Sequence, residues 1–188
     1  TDEIEITRHG VVLEKTELVF ENEGVFNPAC IRVGDEVHMF YRAVRIGNYS
    51  TIGHCVFNGP LELKSRSEKP LLFPEHPYES QGIEDPRITK IEDTYYMTYS
   101  VYDKANVMGT FATSTDLKSF TKHEPVTPRL SYREYKKLVE CCPGLNPKYL
   151  YHYNMLKEHG LGEGMANQLM VWDKNLMLFP RKFNGKFA

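Results

Sequence analysis

The sequence has little of several features that mark other classes of protein. It contains one tryptophan and four cysteines in 188 residues, and its formal net charge is −2. A nearly neutral chain lacks the basic surface that nucleic-acid binding requires. Its longest apolar runs are far too short to span a membrane. We therefore expect neither a nucleic acid nor a membrane as a partner.

The cysteines and histidines also argue against a metal centre. Cys30, Cys55, Cys141 and Cys142 form no CxxC pair, and the seven histidines show no HxH or HxxxH spacing. This pattern predicts neither a zinc site nor a disulfide framework, so no metal is expected. Reduced, mostly buried thiols are the expectation instead, and they are typical of a cytoplasmic protein.

The N-terminal stretch TDEIEITRHG is polar and carries no signal-peptide pattern. The chain has no initiator methionine, which leaves open an upstream segment that was removed. A cytoplasmic location is therefore expected, and a periplasmic one stays open.

The chain does contain a repeat. The segments NPACIRVGDEVHMFYRAV (27–44) and EDPRITKIEDTYYMTYSV (84–101) share matched positions 58 residues apart, such as Pro28 with Pro86 and Tyr41 with Tyr99. Each copy predicts a strand, an acidic turn and a second strand. A third strand follows in both, at 50–57 and at 108–115. A third copy begins in LFPRKFNGKFA (178–188), where Asn184-Gly185 predicts a tight hairpin turn.

Short antiparallel strands in repeated units indicate an all-β fold. They favour the blades of a β-propeller, with a sandwich of accidental similarity as the alternative. A propeller closes with four blades or more, and this chain holds roughly two and a half copies of the repeat. We therefore expect the chain to be part of a longer protein, and to be inactive by itself.

Residues 131–160 interrupt the repeat with a helical pattern. Ser131 and Glu134 form a predicted capping box, and Asn146-Pro147 predicts the start of a second helix that His159-Gly160 ends. We predict an inserted helical hairpin with helices near 132–141 and 147–158. It is either a surface decoration, a wall of the binding cleft, or a contact between subunits.

Polar residues recur just before the first strand of each copy. Asp85 is followed by Pro86, which is expected to hold it extended, and by Arg87, which can bind neighbouring carboxylates. Asn27 occupies the same place in the first copy, and Lys174 and Asn175 precede the third. Because all three copies carry a polar residue at this place, we predict that these side chains line one functional site. A turn carboxylate paired with arginine is the alternative for Asp85.

An arginine also ends the second strand of the first copy. Arg42 stands where an apolar residue is expected. It is either a charge in solvent or a guanidinium that faces the same site.

Four motifs in order, FNPACIRVGDEVHMFYRA, GIEDPRI, FATSTDLKSF and KNLMLFPRKFNGKFA, resemble glycoside hydrolase family 130. This family contains mannoside phosphorylases and related β-mannosidases. The resemblance covers most of residues 20–188 outside the helical pattern. It implies a five-bladed β-propeller, of which 1–188 would be a partial catalytic domain, roughly the first half.

The resemblance also implies roles for the candidate residues. Asp85 matches the catalytic general acid, which in this family acts through a sugar hydroxyl. Asn27 and Arg42 match residues that contact mannose. Lys174 and Asn175 match residues that contact phosphate.

The implied reaction is the inverting phosphorolysis of a β-mannoside to mannose 1-phosphate, which is glycosyltransferase-type chemistry. Inorganic phosphate is the co-substrate, a β-mannoside oligosaccharide is the partner, and no cofactor is implied. A homo-oligomer is left open. The alternatives are an inverting β-mannosidase, which needs a second carboxylate to activate water, and a non-catalytic sugar-binding propeller.

Overall fold

A computed structural model describes residues 4–146, 149–160 and 167–188. The first group of strands, the first meander, comprises β1 (Gly24–Val33), β2 (Glu36–Arg45), β3 (Tyr49–Asn58) and β4 (Glu62–Arg66). The second meander comprises β5 (Gly82–Ile91), β6 (Thr94–Tyr102), β7 (Val107–Ser114) and β8 (Thr121–Lys122). The helices are α1 (Tyr132–Cys141) and α2 (Leu150–Glu158).

Each meander is antiparallel, with consecutive strands paired. The two meanders join at one parallel bridge between Ser50 of β3 and Gly82 of β5, which we call the seam. Gly82 has φ +142°, and a β-carbon there would lie 2.9 Å from the Ser50 backbone nitrogen. Glycine at position 82 therefore allows the two meanders to approach this closely.

The strands follow the repeat as predicted, and both faces of the first meander are covered. Successive residues of a strand point to opposite faces. Phe40 and Ile52 accordingly belong to a core shared with the second meander. Tyr41 and Cys55 belong to a second core, against which Leu13 of the N-terminal segment packs. Burial on two faces explains why β2 and β3 are apolar along most of their length.

A buried ion pair fixes the N-terminal segment to the first meander. Glu21 is fully buried, and its carboxylate accepts hydrogen bonds from Tyr41 Oη (2.8 Å) and Thr16 Oγ1 (2.6 Å). Arg66 Nη2 lies 2.9 Å from Glu21 Oε1. Burial, with the bond to Glu21 second, raises the pKa of Tyr41, so the phenol stays a donor at neutral pH.

A pair of buried histidines lies between β2 and β3. His38 Nδ1 and His54 Nε2 are 3.1 Å apart, and the His54 ring stacks on Phe40 with 4.8 Å between centroids. Burial, with the neighbouring His38 second, lowers the pKa of His54 to about 4. Burial also lowers the pKa of His38, against the smaller raising effect of Glu36. Both rings are therefore neutral at pH 7.

The helices form a separate cluster with the chain that returns from them. The Ser131–Glu134 capping box is present, as predicted. Tyr132 stacks on Tyr153 of α2 with 5.1 Å between centroids. Position 147, where the second helix was predicted to start, lies outside the described residues, as does 148. α2 is described from Leu150, and its C-cap is His159.

Antiparallel bonds close the base of this helical segment. Tyr132 donates from its backbone to Leu169 O (3.0 Å), and Val171 donates to Leu130 O (2.8 Å). That the segment is an insertion into a propeller stays a prediction.

At the third copy, Asn184 and Gly185 form the predicted turn. Both have positive φ, +50° and +74°, and the flanking Phe183 and Lys186 exchange two backbone hydrogen bonds of 2.9 Å. Positive φ at both central residues is the geometry of a tight hairpin.

The prediction of mostly buried cysteines is wrong. Cys55 is buried in the first meander, whereas Cys30, Cys141 and Cys142 are exposed, and all four are free thiols. Cys30 lies on β1, whose other edge has no paired strand among the described residues, and the other two lie at the C-terminal end of α1.

Within the described ranges, no helix has the length and apolar character needed to cross a membrane.

Candidate active site at the seam

The site is built on two equivalent irregularities in β1 and β5. The pairing of β1 with β2 shifts between Phe26 and Ala29, and that of β5 with β6 shifts between Glu84 and Arg87. Pro28 and Pro86 lie inside these shifts and lack the N–H that a regular ladder would use. Each bulge redirects the residue that precedes the proline.

Asn27 and Asp85 have left-handed backbones, with φ +46° and +53°. The expectation that Pro86 holds Asp85 extended is therefore wrong. The bulge overrides the preference that a following proline imposes, and asparagine and aspartate are the non-glycine residues that best tolerate this region. Such strained backbones occur often at functional sites.

The two side chains meet across the seam. Asn27 Nδ2 donates a hydrogen bond to Asp85 Oδ1. Asp85 is buried, with 8% of its surface exposed. Asp85 Oδ2 accepts no hydrogen bond from the described residues, which leaves one carboxyl oxygen for a proton or a ligand.

Arg42 lies beside this pair and is held by three neighbours. Its Nη2 lies 2.8 Å from Glu84 Oε1 and donates to Asn48 Oδ1 at 3.3 Å. Its Nε donates to Ser50 Oγ at 2.8 Å. Arg42 is therefore not a free charge in solvent, because it bridges the two meanders beside Asp85.

Sequence reasoning missed Glu84. A signal for it existed, because the equivalent position of the first copy is the apolar Phe26, so a carboxylate breaks the repeat there.

Arg87 does not act as predicted. Its Nη1 donates to the carbonyl of Pro86 (2.8 Å), and among the described residues it forms no ion pair. Glu84, three residues earlier in the chain, is instead paired with Arg42.

Lys174 and Asn175 are exposed, and no hydrogen bond or ion pair joins either of them to Asp85 in the described part of the chain. Asn175 nevertheless has φ +63°, close to the values of Asn27 and Asp85. The chain after it runs along the second meander, where Thr98 Oγ1 donates to Leu176 O at 2.5 Å. Their contact with phosphate stays a prediction.

The described residues contain no group of three or more His, Cys, Asp or Glu side chains arranged to hold a metal ion. The chemistry available at the seam is that of one buried carboxyl group, an amide and an oriented guanidinium.

Comparison with known proteins identifies the family of the chain. The sequence model described as β-1,4-mannooligosaccharide phosphorylase, of glycoside hydrolase family 130, matches residues 3–159. The β-1,2-mannobiose phosphorylase of Thermoanaerobacter sp. (strain X514) is 36% identical over 153 residues, which cover 72% of this chain and 49% of that protein. The 1,2-β-oligomannan phosphorylase of the same strain is 36% identical over 97 residues, covering 48% of this chain and 32% of that protein.

A solved structure is similar as well. It was reported with family 130 glycoside hydrolases that target β-1,2-mannosidic linkages in Candida mannan. Its TM-score is 0.57 at 28% identity, and the match covers 63% of this chain and 40% of that one. The chain thus spans about half the length of the first curated relative. Since the family model matches well over half of its residues, the chain belongs to glycoside hydrolase family 130.

Proposed function

We propose that the full-length protein catalyses the inverting phosphorolysis of a β-1,2-linked mannoside to mannose 1-phosphate. The observation that carries the proposal is the meeting of Asn27 and the buried Asp85, each on a bulge of its own meander, beside the ion pair of Arg42 with Glu84. The linkage follows the names of the curated relatives, which are β-1,2-mannobiose and 1,2-β-oligomannan phosphorylases. The description of the family model names a β-1,4 linkage instead.

In the proposed reaction an oxygen of phosphate forms a bond to the anomeric carbon on the face opposite the leaving group. The glycosidic C–O bond breaks, the leaving oxygen takes a proton from a sugar hydroxyl, and that hydroxyl takes the proton of Asp85. The product ester releases the proton of the incoming hydrogen phosphate to solvent, and Asp85 regains a proton from solvent before the next cycle. Phosphate is already an anionic nucleophile, so one carboxyl group is enough, and neither a metal nor an organic cofactor is required.

The state of Glu84 supports phosphorolysis over hydrolysis. An inverting hydrolase needs a second carboxylate that is free to activate water, about 6.5–9.5 Å from the acid. Glu84 is the carboxylate next to Asp85 in sequence, and it is engaged by Arg42 at 2.8 Å. Glu84 is therefore already engaged and is not a free second carboxylate.

Lys174 and Asn175 are the proposed phosphate ligands. The Lys174 ammonium would offset the charge of the incoming phosphate. Lys174→Ala should raise the KM for phosphate about tenfold and change the KM for the mannoside much less. Lys182, which is half-buried and pairs with Glu92 at 3.0 Å, offers the matched control Lys182→Ala.

We also propose the larger assembly. Each meander would be one blade of a five-bladed β-propeller, and the chain by itself would be inactive because its site would lack the other blades. Residues 131–160 would be an insertion, since backbone bonds between 130–132 and 169–171 already close its base. Replacing 131–160 with a short linker in the full-length protein should leave the propeller folded, as circular dichroism and thermal unfolding can test.

The test of function is an assay of the full-length protein with β-1,2-mannobiose and, separately, β-1,4-mannobiose, each with and without phosphate. We expect mannose 1-phosphate from the β-1,2 substrate, and only when phosphate is present. Free mannose at equal rates in both buffers would show a β-mannosidase. Binding of sugar without any product would show a non-catalytic propeller.

A further inference from the structure

The guanidinium of Arg42 is fixed along one edge. Its Nε donates to Ser50 Oγ, and its Nη2 serves both Glu84 Oε1 and Asn48 Oδ1. A guanidinium has five N–H groups. The two on Nη1 have no partner among the described residues, so three donors hold the group and two stay available.

Glu84 supplies the charged part of this support. Both partners of the ion pair are mostly covered, with 18% of the Arg42 side chain and 17% of the Glu84 side chain exposed. An ion pair with so little solvent around it restrains its partners more than a surface pair does. Ser50, which accepts the hydrogen bond from Arg42 Nε, is fully buried and forms the seam with Gly82.

Glu84 is also placed next to Asp85 in the chain, within the same bulge of β5. Neighbouring carboxylates of the second meander thus bind different partners in the first: Glu84 binds Arg42, and Asp85 accepts from Asn27. If Glu84 were absent, Arg42 would lose its charged partner, and its guanidinium would be free to turn on a long, flexible side chain.

We propose that Glu84 is a positioning residue for mannoside binding: it holds Arg42 so that the Nη1 edge is presented to the sugar. Glu84 acts through Arg42 and does not touch the substrate. The inference rests on the proposed function, because it assigns the mannoside to the site beside Asp85.

The test is a double-mutant cycle in the full-length protein, read first as the Kd for β-1,2-mannobiose without phosphate, by calorimetry. We expect Glu84→Ala to weaken binding about tenfold, and Arg42→Ala to weaken it at least as much. The double variant should bind no more weakly than Arg42→Ala alone, because Glu84 has no effect once Arg42 is gone. Glu84→Gln, which keeps the length and the accepting oxygen, should recover part of the affinity.

Kinetics separate positioning from a general loss of structure. In phosphate, Glu84→Ala should raise the KM for the mannoside about tenfold while kcat changes less than about threefold. Glu124→Ala removes an exposed ion pair with Arg129 (3.1 Å) and is the matched control, which should leave both constants unchanged. Thermal unfolding of every variant identifies any that fail to fold. If Glu84→Ala fails to fold, Glu84→Gln replaces it in the double-mutant cycle.

Losses that multiply in the double variant would overturn the inference, since Glu84 would then act independently of Arg42. An unchanged Kd in Glu84→Ala would overturn it as well. If wild-type protein binds the mannoside but releases no mannose 1-phosphate, the proposed reaction fails while the binding cycle still decides the role of Glu84. If wild-type protein binds no mannoside, both fail.

Discussion

The first and second meanders place a left-handed residue before a proline at the same point of their first strands, yet one residue is an amide and the other an acid. Asn27 and Asp85 have φ values of +46° and +53°, and they lie 58 residues apart. The repeat therefore produces the same backbone geometry in both copies, and the two copies differ in the side chain that this geometry presents. One copy provides the proposed acid, and the other provides the donor that holds it.

The largest loss of activity should come from giving the second copy the asparagine of the first. Asp85→Asn keeps a residue that tolerates the left-handed backbone but removes the proton donor. General acid catalysis contributes about 10²–10⁴-fold, so phosphorolysis of mannobiose by the full-length protein should fall by that factor.

Asp93→Asn is the matched control, because it changes an exposed aspartate in the turn between β5 and β6. It should leave kcat unchanged. A similar loss in both variants would mean that Asp85 has no special role.

The second effect concerns a difference between the meanders. His38 and His54 stack in the first, where the equivalent positions of the second are Tyr96 and Ala112. The pKa of His54 is lowered to about 4, below the unfolded value of about 6.5. Between these values the unfolded chain binds more protons, so the free energy of unfolding falls as the pH falls from about 6.5 to about 4, by about 3 kcal/mol.

Urea unfolding of the full-length protein as a function of pH measures this slope. His54→Phe, which keeps a ring against Phe40, should flatten it. His9→Gln, at an exposed position, should not change it. Equal slopes in wild type and His54→Phe would show that the pair does not titrate with folding.

The third effect tests packing in the first meander. Gly53 lies opposite Tyr41, and a β-carbon there would fall 2.3 Å from the Tyr41 ring. In the second meander the equivalent residue is Phe111. Gly53→Ala should displace Tyr41 and strain its bond to Glu21, which costs about 1–3 kcal/mol of unfolding free energy.

Gly144→Ala is the control for this change, since a β-carbon at Gly144 would have no heavy atom within 4 Å. Denaturant unfolding of both variants gives the difference. A loss no larger in Gly53→Ala than in Gly144→Ala would contradict the close contact.

The smallest effect concerns the amide of the first copy. Asn27→Gly keeps the left-handed backbone and removes the hydrogen-bond donor to Asp85. We expect kcat/KM to fall about tenfold, which corresponds to the loss of one hydrogen bond to a carboxyl group. Asn184→Gly changes another asparagine of positive φ, +50°, in a turn outside the site. Its activity should stay at the wild-type value, and equal losses would reject a role for the Asn27 side chain.

Much of the fold could be predicted from the sequence because it depends on local patterns. The 58-residue spacing of Pro28 and Pro86 aligns the two copies of the repeat, and this alignment predicts that Asn27 and Asp85 occupy equivalent positions. The Ser131 capping box and the Asn184-Gly185 turn are signals within a few residues, and both are present.

The rest depends on contacts that the repeat does not encode. The left-handed backbone of Asp85 follows from a bulge in the pairing with β6, whereas the following proline alone predicts an extended residue. The ion pair of Arg42 with Glu84 joins positions that are not equivalent in the two copies. The fully buried Glu21 pairs with Arg66, which lies far from it along the chain, and no local sequence pattern predicts this contact.

The most direct test of the central claim, that Asp85 donates the proton at the seam, compares leaving groups in Asp85→Asn. A dinitrophenyl β-mannoside leaves as a stable phenolate and needs no proton, whereas mannobiose does. The full-length variant should lose about 10²–10⁴-fold in kcat/KM for mannobiose with phosphate, yet stay within about tenfold of wild type for the aryl mannoside. Equal losses on both substrates would contradict the assignment of Asp85 as the general acid.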